Sequence, residues 1–338
     1  MKAPDWRISI DGKLVERRRM VSLSTTDNRG LEVDNLTVEF SDQDGLLALP
    51  QKGVELALSI GYLTESLVDR GTFVVDCVKH TGPPDMVVIT AKSARQSAKN
   101  GADNVQADIG EGDKFKVGKE RSWIDITLGK IVEQIAAEKG LESRVADALK
   151  EHYYKQIDQT ESDAHFLTRL AEELDAVATV KAGKLLFLEA GKAENAAGQA
   201  VGAITIERQD GDRHSYEAAE KGRFTGCSAH WHDPATGLRN KVDHGADGYR
   251  KRLPRTYPSE ADAQRAAKSE FDRISRGLAT IALDIADPDP SLFAETPATL
   301  KGWNKPEIDH DKWVITKVTI NIDPNQGMSA NLDAEQRP

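Results

Sequence analysis

A weak internal repeat, offset by about 240 residues, is the feature that most constrains how this chain can fold. In the first copy, one strand pattern ends at Gly61 and the next begins, after a polar loop, at Phe73. The corresponding residues of the second copy are Gly302 and Trp313, so the spacing is 12 residues in one copy and 11 in the other. Two similar β patterns near opposite ends of one chain predict a duplicated β-barrel, with other material inserted between the copies.

Alternation of apolar and polar residues locates the strands. The clearest pattern covers residues 54–60, where Glu55 and Ser59 are predicted to face away from the core. Val314 and Val318 are predicted to be buried in the second copy. Four residues of the first pattern share the inward face and are predicted to be buried: Val54, Leu56, Leu58 and Ile60.

Helical spacing appears between the two β regions. Apolar residues recur at three- and four-residue steps from Ile124 to Ile135, and a second helix is predicted to begin near residues 160–162, with Asp163 in a capping-box position. Ser259 is the predicted N-cap of a longer helix.

The predicted fold class is therefore α+β, with two related β-barrels at the two ends of the chain and an inserted mixed helix and hairpin region. The predicted domains are a first β-barrel over 1–95, a linker or excursion over 96–120, a helical and hairpin α/β region over 121–222, and a second β-barrel over 223–338 with an inserted helix near 259–277.

Composition restricts the classes of function. The 338 residues carry a formal net charge of −10, which argues against a general nucleic-acid-binding role. No run approaches the roughly 18 consecutive apolar residues of a transmembrane helix, so no membrane span is predicted, and the N-terminus has no secretion-signal pattern. The two cysteines, Cys77 and Cys227, each fall in a predicted strand, which favours structural thiols over a disulfide framework.

A histidine pair is the best candidate for a metal site. His230 and His232 are two residues apart on a predicted strand and would share a face, with Asp233 adjacent and His244 further on. The simpler interpretation is that the two histidines flank a core-facing Trp231 on a solvated strand. No third ligand at suitable spacing completes the set, so the sequence predicts no metal ligand and no cofactor.

Catalytic motifs give no positive signal either. His165 follows Asp163 and could form an acid–base pair with it, but a structural role near the start of a helix is the more common one. Gly226 and Ser228 do not complete the GxSxG pattern of a nucleophile elbow, and no glycine-rich phosphate loop is present. No catalytic residue is predicted, and the chain is predicted not to be an enzyme.

The densest basic cluster is Arg17-Arg18-Arg19. On a strand, Arg17 and Arg19 would point to one side and Arg18 to the other. For such a cluster, a salt-bridged surface facing neighbouring acidic residues is a commoner outcome than a nucleic-acid contact. In a chain with a net charge of −10, a subunit contact or plain solvation is favoured.

Taken together, several segments resemble the phage late control D family, the tail-hub proteins of contractile phages, which are related to the hub region of VgrG spike proteins. The most specific segment covers residues 159–167, and the resemblance extends over nearly the whole chain. It rests on these segments: residues 52–56, 61–62 and 71–76, Trp123, Thr127, Leu128, residues 159–171, 296–298 and 313–315. VgrG proteins continue into a needle region, whereas this chain stops at Pro338, which leads us to expect a spike on a separate polypeptide.

The resemblance implies a structural baseplate hub that connects the tail tube to the cell-puncturing spike of a contractile phage tail or tailocin. The implied assembly is a homotrimer that presents six barrels in a ring, with its inserted helices outside that ring. The implied partners are a spike protein below, a tail tube or tube-initiator protein above, other baseplate proteins and the tape measure protein, with no specific nucleic-acid binding. Its place would be the virion tail tip, after synthesis in the bacterial host cytoplasm.

Two other functions remain open at this point. One is a tail-associated cell-wall hydrolase, which would need a paired carboxylate cleft. The other is a receptor- or carbohydrate-binding tail module. Neither of these alternatives accounts for the duplicated β pattern.

Overall fold

The structure, a computed structural model, describes residues 2–93, 118–181, 184–190, 202–209, 212–218, 224–276 and 279–336. It is mostly β, with 53% strand and 16% helix. Most of the predicted linker over 96–120 lies outside the described residues. Strands dominate both ends of the chain, and helices mix with strands in its middle.

The first β unit comprises seven strands within residues 4–93. Its sheet order is β3-β4-β7-β6-β5-β1-β2, and neighbouring strands pair antiparallel. A short 3-10 helix, Arg17–Arg19, separates the second and third strands. The strands are β1 (Pro4–Ile10), β2 (Lys13–Leu14), β3 (Met20–Asn28), β4 (Asn35–Ser41), β5 (Glu55–Tyr62), β6 (Val68–Thr81) and β7 (Met86–Ser93).

The side-chain register of β5 agrees with the alternation in its sequence. Leu56, Leu58 and Ile60 are buried in the main core, whereas Glu55 is exposed. Val54 was predicted to be buried but is only half-buried, because the strand begins one residue later and Val54 belongs to the preceding turn.

The middle region, residues 118–190, folds around a separate apolar core. Its β11–β12 hairpin confirms the hairpin expected there, although the turn residues 182–183 lie outside the description. The elements are β8 (Arg121–Thr127), α1 (Leu128–Glu138), β9 (Glu142–Val145), α2 (Asp147–Lys150), β10 (Tyr153–Gln159), α3 (Asp163–Leu174), β11 (Ala176–Lys181) and β12 (Lys184–Glu189).

The predicted start of the first helix is wrong. Ile124 lies in β8 and its side chain is 63% exposed, while the helix begins at Leu128. The cause is the pairing of β8 with β10, which extends as far as Thr127 and keeps that segment out of the helix. Ile131 and Ile135 are buried on the apolar face of α1, as the periodicity predicted.

The second β unit is interrupted by a smaller unit, residues 224–276, which we call the α4 unit. There, β15 (Gly226–His232) lies between β16 (Arg239–Gly245) and β17 (Arg250–Tyr257), and α4 (Glu260–Arg276) packs on one face of this sheet. The hydroxyl of Ser259 accepts a hydrogen bond from the backbone N–H of Asp262 at 3.2 Å, which confirms the predicted N-cap. None of the helices in the described ranges has the length and hydropathy needed to cross a membrane.

The second β unit itself repeats the strand order of the first. It consists of β13 (Ile204–Glu207), β14 (Arg213–Ala218), β18 (Ala279–Ala286), β19 (Pro297–Lys301), β20 (Trp313–Asp323) and β21 (Gly327–Gln336). The pairing order is β14-β18-β21-β20-β19-β13, which matches β3-β4-β7-β6-β5-β1 strand for strand and in the same chain order. One difference is that β13 runs parallel to β19, whereas β1 runs antiparallel to β5.

A direct pairing of β3 with β20 merges both units into one 13-stranded sheet with a shared core. Val314 and Val318 are fully buried, as predicted. Along the main path, the described strands end at β2 and β14, so the pairings in this part of the chain form an open sheet.

Candidate functional site

The histidines considered as metal ligands point to different sides of one sheet. Cys227 lies in the apolar cluster under α4, and the ring of His244 contacts that of Phe271 on α4 at 5.7 Å. Because neighbouring strand residues alternate, His230 and His232 lie on the opposite face. Among the described residues, no three His, Cys, Asp or Glu side chains are grouped to hold a metal ion.

The surroundings of His230 are cationic. Burial is the largest cause that lowers its pKa, followed by the charges of Arg239 and Arg252. Its Nδ1 atom is buried and has no hydrogen-bond partner within the described ranges. Positive charges and a low proton affinity disfavour a bound cation here.

We therefore expect the double substitution His230→Ala and His232→Ala to leave the fold intact. Removing one unpaired ring nitrogen and one exposed ring should shift the melting temperature by no more than about 2 °C. Elemental analysis of the purified parent chain should show substoichiometric zinc. Zinc at one per chain, lost in the double variant, would contradict this assignment.

Asp163 is a buried carboxylate held by three cations. Its oxygens lie 2.8 Å from Lys119 Nζ, 2.8 Å from an Arg121 nitrogen and 2.9 Å from Lys139 Nζ. The Gln159 amide donates a fourth contact at 2.8 Å. Burial alone would raise the pKa of Asp163, but these donors outweigh it and lower the pKa below the ordinary range.

His165, the suggested partner of Asp163, points elsewhere. Its side chain is exposed, and its backbone N–H donates to the hydroxyl of Ser162, the N-cap of α3, at 3.3 Å. The carboxylate and the imidazole therefore do not form an acid–base pair. Asp163 instead ties β8, α1 and α3 together.

The basic cluster at residues 17–19 does not lie on a strand, so its predicted two-sided arrangement is wrong. The three residues form a 3-10 helix, in which the Arg19 N–H donates to the Glu16 carbonyl at 3.1 Å and the Met20 N–H donates to the Arg17 carbonyl. Arg18 pairs with Glu16 at 2.8 Å and Arg19 pairs with Asp44 at 2.8 Å. Arg17 is paired with Asp5. The cluster is therefore a salt-bridged surface, the commoner outcome for such a run of arginines.

The two β units are joined by the pairing of β3 with β20, which we call the internal joint. The hydroxyls of Thr26 on β3 and Thr319 on β20 lie 3.1 Å apart across the pairing. Arg29 forms ion pairs with both Glu295 and Glu335, which are 266 and 306 residues away in sequence. Sequence patterns gave no sign of this joint, because local periodicity carries no information about distant partners.

An open cavity of about 490 Å³ lies between the β5–β6 turn and the second unit. At its wall, the Tyr62 hydroxyl donates to the carbonyl of Pro288 at 2.7 Å. Burial raises the pKa of Tyr62, so this hydroxyl stays protonated and donating at neutral pH. Nearby, Arg70 donates to the carbonyl of Leu292 at 2.7 Å. These two bonds connect the first β unit to the segment between β18 and β19 of the second.

Known proteins resemble this chain over nearly its full length. A probable baseplate hub protein of Escherichia phage 186 is 36% identical over 359 residues, covering 94% of this chain and 88% of its own length. Another, from Escherichia phage P2, is 35% identical over 378 residues, covering 99% and 93%. The crystal structure of the 43 kDa tail protein of prophage MuSo2 from Shewanella oneidensis shares the fold, with a TM-score of 0.66 at 14% identity over 99% of both chains.

The profile of the family described as phage tail baseplate hub (GPD) matches residues 116–326, which is more than half of the chain. The chain belongs to this family. The similarity to the two phage hub proteins covers both β units and the inserts between them, and the expected resemblance is confirmed. As a baseplate hub, the protein is a structural component of a phage tail and has its place in the virion.

Proposed function

We propose that this chain is the central hub that joins the tail tube above to a cell-puncturing spike below, and that it does so as a homotrimer. The observation that carries the proposal is the identical strand order of the two β units. Three copies supply six similar units, which suit a six-fold tube on one side, and three equivalent faces, which suit a three-fold spike on the other.

In the assembly, we propose that each β unit contributes one barrel-like segment to a ring. The middle region and the α4 unit would lie outside that ring, because both are inserted between strands of the β units and have cores of their own. Since β13 and β14 pair with β19 and β18, the second unit is best counted from residue 204. Contacts with other baseplate proteins and with the tape measure protein would use these outer units and the ring.

A structural role is also supported by the ion pairs and the lowered pKa of the buried carboxylate Asp163. Asp163 is engaged by three cations, so it has neither the raised pKa of a general acid nor an open face for a substrate. The related proteins are named for a hub position and not for a hydrolytic activity. A hub without catalysis is therefore the function we favour over a cell-wall hydrolase or a carbohydrate-binding module.

The test is the copy number of the hub in its complex with the spike. We expect native mass spectrometry or a map of the tail tip to show three hub chains per spike trimer. Two or six chains would overturn the trimer. A peptidoglycan-clearing assay on the purified chain, with lysozyme as the positive control, should show no activity.

A further inference from the structure

Strand β6 is longer than the partner on its outer side. β5 pairs with β6 up to Val74. The segment before β5 adds two bonds to Val75: the Gly53 N–H donates to the Val75 carbonyl at 2.8 Å, and the Val75 N–H donates to the Val54 carbonyl at 3.0 Å. Beyond Val75, residues 77–81 pair with β7 alone among the described strands. Among the described strands, none covers the outer backbone edge of these residues, and native proteins seldom leave such an edge without a partner or a protecting feature.

In the second unit, the corresponding stretch is covered. Both long strands have a bulge in the pairing with the strand that follows them, at Asp76 of β6 against β7 and at Thr316 of β20 against β21. These two bulges align the strands with an offset of 240 residues. Residues 317–321 of β20 thus correspond to residues 77–81 of β6. In β20, this stretch pairs with β3 of the first unit.

The strand that corresponds to β3 is also open. β3 pairs with β4 on one side and with β20 on the other, whereas β14, its counterpart, pairs only with β18 in the described part of the chain. Thr25 of β3 lies opposite Leu36 of β4, and Tyr216 of β14 lies opposite Ile281 of β18. Since Ile281 is the structural equivalent of Leu36, Tyr216 is the structural equivalent of Thr25. One molecule therefore carries one completed joint and the two separate halves of another.

We propose that β6 of one copy pairs antiparallel with β14 of a second copy, and so reproduces between molecules the joint that β20 and β3 make within each. The inference rests on the homotrimer proposed above and specifies its interface. Such a contact is head-to-tail, and a head-to-tail contact generates a ring when its rotation closes. In a trimer, three internal joints would alternate with three intermolecular ones.

The internal joint predicts the register of the new one. Thr319 lies opposite Thr26, and these positions correspond to Lys79 and Glu217. The Lys79 ammonium of one copy would thus face the Glu217 carboxylate of the next. In the internal joint, the same position holds the Thr319 and Thr26 hydroxyls, 3.1 Å apart. Both residues are exposed, and neither has an ion pair with another described residue. The remaining pairs would be Val78 with Ala218, His80 with Tyr216, and Thr81 with Ser215.

The residues that would form the intermolecular joint are less buried in one molecule than their counterparts in the internal joint. Val318 and Ile320 of β20 are fully buried under the first unit. Their counterparts Val78 and His80 are half-buried and exposed, respectively. Because both pairs point to the core side of the sheet, a covering unit from a second copy would bury them as β3 and its unit bury Val318 and Ile320.

The first test is a disulfide between the matched positions. In a Cys77→Ser background, Lys79→Cys and Glu217→Cys are introduced together and the chain is assembled into tails. Residues directly opposite on antiparallel strands have Cβ atoms about 5 Å apart, within reach of a disulfide after small adjustments. We expect non-reducing gels of mildly oxidised tails to show covalent dimers and trimers. The matched control, Lys79→Cys with Tyr216→Cys, places the thiols on opposite faces and should stay monomeric.

Tails that contain the matched variant but give no covalent oligomer, or the same yield as the control, would overturn the strand pairing. That result would leave the hub function intact, because incorporation into tails is scored separately by mass spectrometry. A chain that is absent from tails even without substitutions would instead refute the proposed function.

A charge exchange provides a second test that does not depend on oxidation. Lys79→Glu and Glu217→Lys each place like charges opposite one another, and each should lower the association constant of a single joint about fivefold, which corresponds to about 1 kcal/mol. Because a trimer contains three such joints, the amount of assembled hub should fall by more than that factor. The two substitutions together restore the opposite charges and should restore assembly. Failure of the double variant to recover, with both single variants folded by circular dichroism, would contradict the register.

Discussion

Leu56→Asp is expected to abolish folding of the first β unit and to yield insoluble protein. Leu56 is fully buried, at 0% exposure, between Ile10 on β1 and Phe73 on β6. Truncating a buried leucine costs about 2–5 kcal/mol, and burying a carboxylate without a partner adds several more. The sum is comparable to the entire stability of a typical domain, about 5–15 kcal/mol.

The matched control for this prediction is Ala57→Asp, one residue along the same strand. Ala57 is exposed, so its aspartate stays solvated and should change stability by less than about 1 kcal/mol. Soluble yield and thermal melting of the two variants are the measurements. If Leu56→Asp melts like the parent chain, the side-chain register assigned to β5 is incorrect.

Asp163→Asn is expected to destabilise the middle region by about 3–5 kcal/mol, because it removes the one anion shared by three cations. Without the Asp163 charge, the Lys139 ammonium loses this ion pair, and its side chain is only 8% exposed, so water cannot replace that pair well. Asp158→Asn is the control, since Asp158 is exposed and accepts a hydrogen bond from Ser122 at 2.6 Å. Urea unfolding followed by the combined fluorescence of the five tryptophans measures both variants against the parent chain.

The pH dependence of Asp163 has a defined sign. The pKa of this carboxyl is lowered in the folded chain, so the unfolded chain binds the proton more readily. Its contribution to stability is therefore complete above the ordinary carboxyl range and is lost as the pH falls through that range towards the lowered pKa. The parent chain should lose stability on acidification, and Asp163→Asn should lose less. Equal acid sensitivity in both would show that Asp163 is not the group responsible.

Several elements followed directly from the sequence. Apolar alternation predicted the inward face of β5 at Leu56, Leu58 and Ile60, and helical spacing predicted the buried face of α1 at Ile131 and Ile135. Ser259 was identified as an N-cap from its residue type and from the acids that follow it. These features depend on neighbours within a few residues, which is the range that side-chain periodicity and capping describe.

Other features followed from the sequence only in part. The repeat marked by Gly61 and Gly302 predicted two related β-barrels. The matching strand orders show two similar β units, whereas the described strands form an open sheet and no closed barrel. The helix predicted from Ile124 begins later, because pairing with β10 overrides the local spacing there. Likewise, Arg17 to Arg19 form a 3-10 helix and not a strand, because their backbone hydrogen bonds are made to residues 16 and 20 and not to a neighbouring strand.

The sequence by itself thus determined the apolar face of β5, the buried face of α1, and that one β pattern occurs twice. Only the tertiary structure decided that β3 joins β20, that Arg29 meets Glu295 and Glu335, and that the outer edges of β6 and β14 have no partner among the described strands. The physical reason is that a strand's two-residue period specifies a face and not a partner. Partner choice depends on the loops, bulges and inserts that bring distant backbone edges together.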